Sequence, residues 1–383
     1  MRLLHVHSGN LYGGVETLMM TLAREAKNRP SLTSEFALCF EAQLAKELRS
    51  AGALVHALGE ARTRNPRSLW SARRRLLQLI GERRFDAVVT HMPWAQALFG
   101  GTARASGIPS AFWMHDAAIG RHWLEWWASQ TRPQLVLCNS QYTASTVKRI
   151  YADVPAQVIA YPVMLPPATV TNEEMGAIRR ELQTSIDATV IVQASRMEAW
   201  KGHALHLQSL GSLRDLAGWV LWLVGGAQRP AEQQYQAELE RMAVELGIAE
   251  RVRFLGPRSD VPRLLKAADI YCQPNQRPEP FGIVFIEALA AGLPVVSVDF
   301  GGAREIVNEN CGALVPPGDL NALAATLRYL ITDPSERSRL GSAGPSRAFK
   351  LCDPATQMAR IEKAISAITR DLGNSHGVEH LGC

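Results

Sequence analysis

The sequence predicts an α/β protein built from two Rossmann-like domains, each with a doubly wound parallel sheet. Three observations predict this class. Short apolar runs alternate with helical patterns, a proline-rich stretch interrupts the alternation once, and polar or glycine residues follow many of the runs. Such alternation is typical of parallel sheets with helices on both faces. A chain of 383 residues is also too long for one ordinary core.

In the first half, apolar runs predict strands and the segments between them predict helices. The strands cover residues 3–7, 35–40, 54–58, 87–90, 110–114 and 135–138, and the helices 15–27, 43–49, 68–80, 94–104 and 142–150. Ligands of such sheets bind beyond the carboxyl ends of the strands. We therefore expect the polar residues at these ends to line one crevice: His7, Ser8, His91, His115, Asp116, Asn139 and Ser140.

Three prolines within residues 161–167 predict a linker between the domains. The predicted domains are an acceptor-binding domain at 1–165 and a donor-binding domain at 166–352. A C-terminal helix at 353–372 should pack back on the first domain, ahead of a flexible tail at 373–383. In the second domain the predicted strands are 190–193, 219–224, 252–255, 270–272, 295–298 and 313–315, and the predicted helices include 172–182, 320–331, 335–343 and 355–371.

Composition excludes several classes of protein. The net charge of +5, from 41 basic and 36 acidic residues, is no nucleic-acid signature. Six scattered cysteines without a Cys-x-x-Cys pair argue against a zinc site or a disulfide framework, and fit a cytoplasmic protein. The N-terminus does not read as a signal peptide, and no apolar run is long enough to span a membrane.

A glycine-rich loop at residues 8–14 stands between the first strand and the first helix. Glycine lets backbone N–H groups approach a phosphate closely, so Gly13 and Gly14 are candidate diphosphate ligands. The loop matches neither the dinucleotide fingerprint nor a Walker loop. A plain tight turn explains the two glycines equally well.

The stretch from Arg277 to Glu287 is the most informative part of the sequence. Glu279 and Glu287 are separated by seven residues, and Gly282 stands where a helix should begin. A helix N-terminus offers unpaired N–H groups and a positive dipole end, which favour phosphate. Carboxylates beside a phosphate are suited to accept hydrogen bonds from sugar or ribose hydroxyls. The alternative is that both are solvated surface groups.

Two cations follow the first strand of the second domain. Arg196 and Lys201 lie five residues apart across a predicted turn, so both can face one crevice. A pair of cations suits a diphosphate. Two surface charges on a loop would look the same in sequence.

The second half resembles the donor domain of retaining family 4 glycosyltransferases, which have the GT-B fold. The matching segments span about 125 residues: Ser195-Arg196, Lys201-Gly202, Glu279-Pro280-Phe281-Gly282, Glu287, Ala291-Gly292-Leu293-Pro294-Val295-Val296, Gly301-Gly302-Ala303-Arg304-Glu305-Ile306-Val307 and Leu314-Val315-Pro316-Pro317-Gly318-Asp319. The first half matches more thinly, at Gly13-Gly14-Val15-Glu16, His91, His115-Asp116 and Asn139-Ser140. The chain departs from the family at Pro274-Asn275, where Pro-Ser is usual, and at Tyr161-Pro162-Val163, where Asn-Gly-Val is frequent.

The resemblance implies two domains facing across a cleft and transfer of a sugar, with retention, from a nucleotide diphosphate sugar. No cofactor is implied, and no metal, since Arg196 and Lys201 would stabilise the leaving diphosphate and no Asp-x-Asp motif is present. Catalytic roles fall to His115, Glu279, Arg196 and Lys201. Donor binding falls to Gly13, Gly14, Arg196, Lys201, Gly225, Glu279, Phe281, Gly282, Ile283 and Glu287. Acceptor contacts are predicted at His91, Asp116 and Trp123.

Residues 60–84 carry eight arginines and only two acids. A basic amphipathic segment can bind anionic lipid, which would place the protein at the inner face of the cell membrane. A solvated helix face is the alternative. Trp123, Trp126 and Trp127 follow helical spacing, which favours core packing over an acceptor platform.

Two other functions remain open at this stage: a nucleotide-sugar epimerase and a non-catalytic sugar-nucleotide-binding protein on the same fold. The sequence does not distinguish between sugars, between nucleotides, or between glycan, lipid-linked and small-molecule acceptors.

Overall fold

The computed structural model describes residues 1–10, 13–164, 171–227 and 229–376. The chain divides into two compact units. Unit 1 takes residues 1–164 together with those from 352 onward, and unit 2 takes residues 165–351. The division therefore falls within a residue of the predicted boundaries at 165 and 352.

Unit 1 is built on a parallel sheet of seven strands in the order β3-β2-β1-β4-β5-β6-β7. Its strands are β1 (Arg2–His7), β2 (Thr33–Leu38), β3 (Val55–Ala57), β4 (Ala87–His91), β5 (Ser110–Met114), β6 (Leu135–Cys138) and β7 (Ala156–Val158). Its helices before the boundary are α1 (Gly14–Glu25), α2 (Gln43–Ser50), α3 (Pro66–Glu82), α4 (Met92–Ala105), α5 (Trp123–Ser129) and α6 (Gln141–Ser145), with a 3-10 turn at Val147–Arg149.

Unit 2 holds a parallel sheet of six strands in the order β10-β9-β8-β11-β12-β13. Its strands are β8 (Thr189–Ala194), β9 (Trp219–Val224), β10 (Val252–Gly256), β11 (Ile270–Gln273), β12 (Val295–Val298) and β13 (Gly312–Val315). Its helices are α7 (Asn172–Glu181), α8 (His203–Gly211), α9 (Pro230–Glu245), α10 (Val261–Lys266), α11 (Ile283–Ala290), α12 (Ala303–Ile306), α13 (Leu320–Thr332) and α14 (Pro334–Cys352), with 3-10 turns at Ala199–Lys201 and Ala249–Arg251.

Strand order reverses beside β1 in unit 1 and beside β8 in unit 2. At such a point the two connections leave the sheet in opposite directions and open a crevice beyond the strand ends. In unit 1 these ends carry His7 and His91. In unit 2 they lead into Ser195 and into the segment after Gln273.

The chain returns to unit 1 through helix α15 (Pro354–His376), which contacts α1. Met358, Ile361 and Ile365 on this helix are buried. Arg29 pairs with Glu362 at 3.5 Å. This is the return of the C-terminal helix that the sequence predicted.

Several elements differ from the predictions, among them β7, α14 and α15. Strand β7 was not predicted, since Ala156–Val158 is short and partly exposed. Helix α14 continues through Pro345 to Cys352, beyond the predicted end at 343, because buried Leu340 and Ala348 hold it on both sides of the proline. Helix α15 reaches His376 and so extends into the predicted flexible tail, of which residues 377–383 lie outside the described residues.

No helix among the described residues is long and apolar enough to cross a membrane.

Candidate functional site

Glu279 in unit 2 is held by three donors that all reach the same oxygen. Lys201 Nζ lies 2.7 Å from Glu279 Oε2, Asn275 Nδ2 donates at 2.9 Å and Gln273 Nε2 at 3.3 Å. Asn275 and Gln273 are themselves buried, and Gln273 accepts from the Tyr271 hydroxyl at 2.8 Å. Glu279 Oε1 has no donor among the described residues. One oxygen of this carboxylate is therefore fixed by the fold, and the other is open to a ligand hydroxyl.

Glu287 lies on α11 and is half-buried. Neither of its oxygens accepts a hydrogen bond within the described parts of the chain. Burial raises the pKa of this carboxyl from 4.5 to about 7. A desolvated carboxylate without a donor gains most from a ligand that brings hydroxyl groups to it.

Gly282 precedes α11 with φ 102°, in the left-handed region that favours glycine. A Cβ here would stand 2.5 Å from the Phe285 ring, so the fold itself requires glycine. The N–H groups of Ile283 and Val284 have no acceptor among the described residues, as is usual in the first turn of a helix. Phe281 is buried. These two N–H groups are therefore available to an anion, and the predicted phosphate contact at this position stays a prediction.

Gly225 follows β9 with φ 140°. A Cβ at this position would lie 1.8 Å from the Ser195 carbonyl oxygen. Glycine is thus needed at this position because a side chain would collide with the backbone that follows β8. This requirement comes from packing within unit 2 and is not evidence of ligand contact.

Each of the two predicted cations has an acidic partner. Arg196 Nη2 lies 2.9 Å from Glu198 Oε2, and Lys201 pairs with Glu279. Lys201 Nζ also stands 3.9 Å from the centroid of the Trp200 ring. Both cations are therefore paired in this conformation, and a diphosphate would have to share them with Glu198 and Glu279.

A chain of buried hydrogen bonds crosses the sheet of unit 1. It joins Ser34 Oγ to His5 Nε2 (3.2 Å), His5 Nδ1 to His91 Nε2 (2.9 Å), His91 Nδ1 to His115 Nε2 (2.8 Å) and His115 Nδ1 to the Tyr161 hydroxyl (2.5 Å). These residues come from β2, β1, β4, the end of β5 and the segment after β7, in the order of the sheet except that β6 is passed over. We call this set the histidine chain.

Both ring nitrogens of His115 and of His91 are engaged in the histidine chain. Burial, followed by the neighbouring histidines, holds the pKa of each well below its usual range. His91 is fully buried, and the acceptor contact predicted at this residue stays a prediction. His115 is a neutral imidazole that cannot take a substrate proton without first losing one of its partners.

Gly13 precedes α1 in extended conformation, next to a buried pair between His7 and Glu16 at 2.8 Å. A Cβ at Gly13 would meet only Glu16, at an ordinary 3.7 Å. The fold therefore does not demand glycine here. Close approach of a phosphate to the backbone of this loop stays a prediction, and Gly14 begins α1 itself.

Asp116 is exposed and borders a cavity of about 210 Å³ at the carboxyl ends of β4 and β5. Its lining is mainly apolar and includes Met92, Trp94, Ile119 and Leu124.

Trp123 and Trp126 are 53% and 69% exposed. Core packing is therefore wrong for them and holds only for Trp127, which packs partly against the core.

Several residues that build the two sites were not singled out from sequence. Glu198 lies between Arg196 and Lys201 in the sequence, and this spacing could have identified it as a partner of Arg196. Asn275 was noted only as a departure from the family. Tyr161 was read as linker, yet it is buried against His115. In the described ranges, no group of three or more His, Cys, Asp or Glu side chains is placed to hold a metal ion.

Two family models match the chain. Residues 175–347 match glycosyl transferases group 1, and residues 12–163 match Glycosyltransferase Family 4. Together with the two parallel α/β units, these matches show that the chain belongs to the family 4 glycosyltransferases and has the GT-B fold.

Among curated relatives, a phosphatidyl-myo-inositol mannosyltransferase of Mycobacterium leprae is 33% identical over 46% of this chain and 47% of its own length. A GDP-mannose-dependent alpha-(1-6)-phosphatidylinositol monomannoside mannosyltransferase of Mycolicibacterium smegmatis is 28% identical over 76% of this chain and 79% of its own. The chain thus spans about half the length of the first of these relatives and most of the second.

Among solved structures, Anabaena HepE in complex with UDP and glucose superposes with a TM-score of 0.84 at 23% identity, covering 96% of this chain and 99% of that one. WaaG, a glycosyltransferase involved in lipopolysaccharide biosynthesis, gives a TM-score of 0.68 at 18% identity, covering 96% and 100%. These likenesses agree with the GT-B fold.

The raised pKa of Glu287 makes the stability of unit 2 depend on pH. Below pH 4.5 the carboxyl is protonated in both the folded and the unfolded chain, so it has no effect. As the pH rises to about 7 only the unfolded chain loses the proton, and folding becomes less favourable. We expect Glu287→Gln to be more stable than wild type by up to about 3 kcal/mol at pH 8, and equal to it near pH 4.5.

Urea unfolding at several pH values measures this difference, with the exposed Glu245→Gln as the control for loss of a charge. A constant difference between Glu287→Gln and wild type from pH 4.5 to 8 would mean that Glu287 titrates normally.

Proposed function

We propose that the protein is a retaining glycosyltransferase that moves a sugar from a nucleotide diphosphate sugar to a glycan, lipid-linked or small-molecule acceptor, without a metal ion. The observation that carries the proposal is the pair of carboxylates around the start of α11. Oε1 of Glu279 and both oxygens of Glu287 lack donors among the described residues, beside helix N–H groups suited to phosphate. Hydroxyl acceptors and an anion seat in one place fit a sugar nucleotide.

In this proposal Glu287 accepts from the ribose hydroxyls and Glu279 Oε1 from a hydroxyl of the transferred sugar. The diphosphate binds the N–H groups of Ile283 and Val284 together with Arg196 and Lys201. Arg196 has five N–H donors and Lys201 has three, so each can bind phosphate oxygen while it keeps its carboxylate. Negative charge grows on the leaving diphosphate in the transition state, where these donors contribute most.

His115 keeps its predicted role in donor-sugar contact, but not as a base. Both of its nitrogens are bonded and its pKa is depressed. A front-face path, in which the leaving phosphate accepts the proton of the acceptor hydroxyl, needs no enzymic base. Retention is what family 4 membership implies.

The relatives differ in donor and in acceptor, so the test includes more than one donor and more than one acceptor. One named relative uses GDP-mannose and a phosphatidylinositol mannoside, and HepE was solved with UDP and glucose. We propose to incubate the protein with GDP-mannose, UDP-glucose and other nucleotide sugars, each with phosphatidylinositol or a lipopolysaccharide core oligosaccharide. Free nucleoside diphosphate and a glycosylated product of retained configuration by proton NMR support the proposal.

Transfer should continue in excess EDTA, because the cations and helix N–H groups supply the charge that a metal would. An epimerised sugar instead of a glycosylated product would favour the epimerase, and binding without turnover would favour a sugar-nucleotide-binding protein. Full loss of transfer in EDTA, restored by magnesium, would contradict the metal-independent step.

Lys201→Ala should lower kcat by about a hundred- to a thousandfold, with a smaller change in the donor KM, since a leaving-group contact acts mainly in the transition state. The variant also strands Glu279 without its cation. The double variant Lys201→Ala with Glu279→Gln, measured beside both single variants, separates the two effects. A wild-type kcat for Lys201→Ala would remove Lys201 from the mechanism.

We infer that one face of α3 contacts anionic lipid. Arg67, Trp70, Arg74 and Leu77 recur at helical spacing and are all exposed, with Trp70 at 63%. The Arg74 guanidinium lies 5.5 Å from the Trp70 ring centroid. Amphipathic aromatic rings beside cations suit a membrane interface.

Not all the arginines predicted for this role are available. Arg73 donates to the Leu98 carbonyl at 2.7 Å and Arg75 to the Leu58 carbonyl at 3.1 Å, so these two stabilise the fold of unit 1. Only outward residues such as Arg67 and Arg74 make a clean test.

Arg67→Gln with Arg74→Gln should weaken binding to phosphatidylglycerol vesicles by about thirtyfold, at roughly 1 kcal/mol for each cation. The control is Arg24→Gln with Arg104→Gln, which removes the same charge from exposed positions on α1 and α4. Flotation with vesicles measures both. Equal binding of the two double variants would mean that net charge, and not this face of α3, accounts for any attraction to lipid.

A further inference from the structure

The histidine chain is larger than a structural role requires. Apolar side chains of similar volume would fill the same core without any polar group to satisfy. Instead, three imidazoles, a phenol and a hydroxyl are aligned across the sheet of unit 1, and His91 and His115 stack with ring centroids 5.0 Å apart. The histidine chain includes His115, for which the resemblance to family 4 implies contact with the donor sugar.

The geometry sets the direction of the hydrogen bonds. Asn139 Nδ2 donates to the Tyr161 oxygen at 3.2 Å, and a phenol is a good donor to the neighbouring imidazole nitrogen at 2.5 Å. His115 Nδ1 then accepts, and its proton lies on Nε2. Nε2 in turn donates to His91 Nδ1, His91 Nε2 donates to His5 Nδ1, and His5 Nε2 donates to Ser34 Oγ.

When every imidazole of the histidine chain is neutral, each ring donates from one nitrogen and accepts at the other. The three rings must therefore share one tautomer. Reversing the proton on His115 would require the proton on His91 and on His5 to reverse as well. The tautomer of His115 is thus determined by residues up to three strands away.

The surroundings favour the neutral state. Trp113 stacks on both His91 and His115 with centroids 5.6 Å away. Two further titratable groups among the described residues face the histidine chain. They are His7, whose ring centroid lies 6.3 Å from that of His91, and Glu16, which is bonded to His7. A proton on one ring disfavours a proton on its neighbours, in addition to the cost of burial.

We propose that His5, His91 and Tyr161 are positioning residues that hold His115 in one orientation and one tautomer for the transfer reaction. The link to catalysis rests on the proposed function, whereas the tautomer lock is a property of the free protein. In this arrangement the imidazole of His115 is neutral and fixed in orientation when it contacts the donor sugar. Proton exchange with substrate is suppressed because it would disturb the whole chain.

The first experiment needs no substrate. The full-length protein is labelled with 15N-histidine, and proton–nitrogen NMR identifies the nitrogen that carries the proton in each ring. We expect His5, His91 and His115 to be neutral, with the proton on Nε2, down to pH 5.5. Different tautomers among the three rings, or a protonated His115 at pH 5.5 or above, would overturn the proposal.

The second experiment uses Tyr161→Phe, which removes the hydroxyl at one end of the histidine chain. The resonances of His91 and His5 should shift together with those of His115, whereas those of His203 and His206 in unit 2 should not. A shift confined to His115 would show that the rings are not coupled. The wild-type spectrum remains a test in its own right if this variant fails to fold.

The kinetic experiment compares Tyr161→Phe with Trp113→Phe, which disturbs packing against the same rings but leaves every hydrogen bond of the chain intact. Tyr161→Phe should lower kcat by roughly ten- to a hundredfold, as misplacement of an active-site group does, with little change in the donor KM. Trp113→Phe should lose more thermal stability and less kcat. Equal loss of kcat in the two variants would mean that the histidine chain contributes to the reaction only through packing. A coupled spectrum in a protein without transferase activity would leave the tautomer lock intact and contradict the proposed function instead.

Discussion

Parallel pairing of the strands is the constraint on which both candidate sites depend. It brings every strand's carboxyl end to the same edge of its sheet, and the reversal of strand order opens that edge beside β1 and β8. Residues far apart in sequence therefore meet: Lys201 reaches Glu279, and His5 reaches His91. The loops differ between the two units, whereas the principle that assembles them is the same.

The two units use this edge in different ways. In unit 2 the polar groups are fixed on one side only, so that Glu279 and Glu287 keep oxygens without a described donor. In unit 1 the imidazoles of the histidine chain bond to one another and to the residues at its two ends. The first arrangement is open to a ligand, and the second is rigid. A transferase needs both, since binding energy is useful only when the groups that apply it are held in place.

Much of this could be predicted from sequence because the signals are local. Strand and helix alternation determined the fold class, and the glutamate pair with Gly282 stands within nine residues. Contacts across the sheet carry no local signal, so the pairing of Lys201 with Glu279 and the histidine chain were not foreseen. The three prolines nearby predict a linker at Tyr161, although its side chain is buried. The helical spacing of Trp126 predicts core packing, although its side chain is exposed, because spacing does not tell which side of a helix faces solvent.

The discontinuity of unit 1 has a consequence for its synthesis. Helix α15 covers α1, yet about 190 residues of unit 2 are translated between the two parts of unit 1. At ordinary elongation rates that interval lasts roughly ten to forty seconds. During that time the side of α1 that α15 later contacts lacks this cover. The nascent chain therefore carries an uncovered apolar surface until the final helix leaves the ribosome, and this is the stage at which chaperones would meet it.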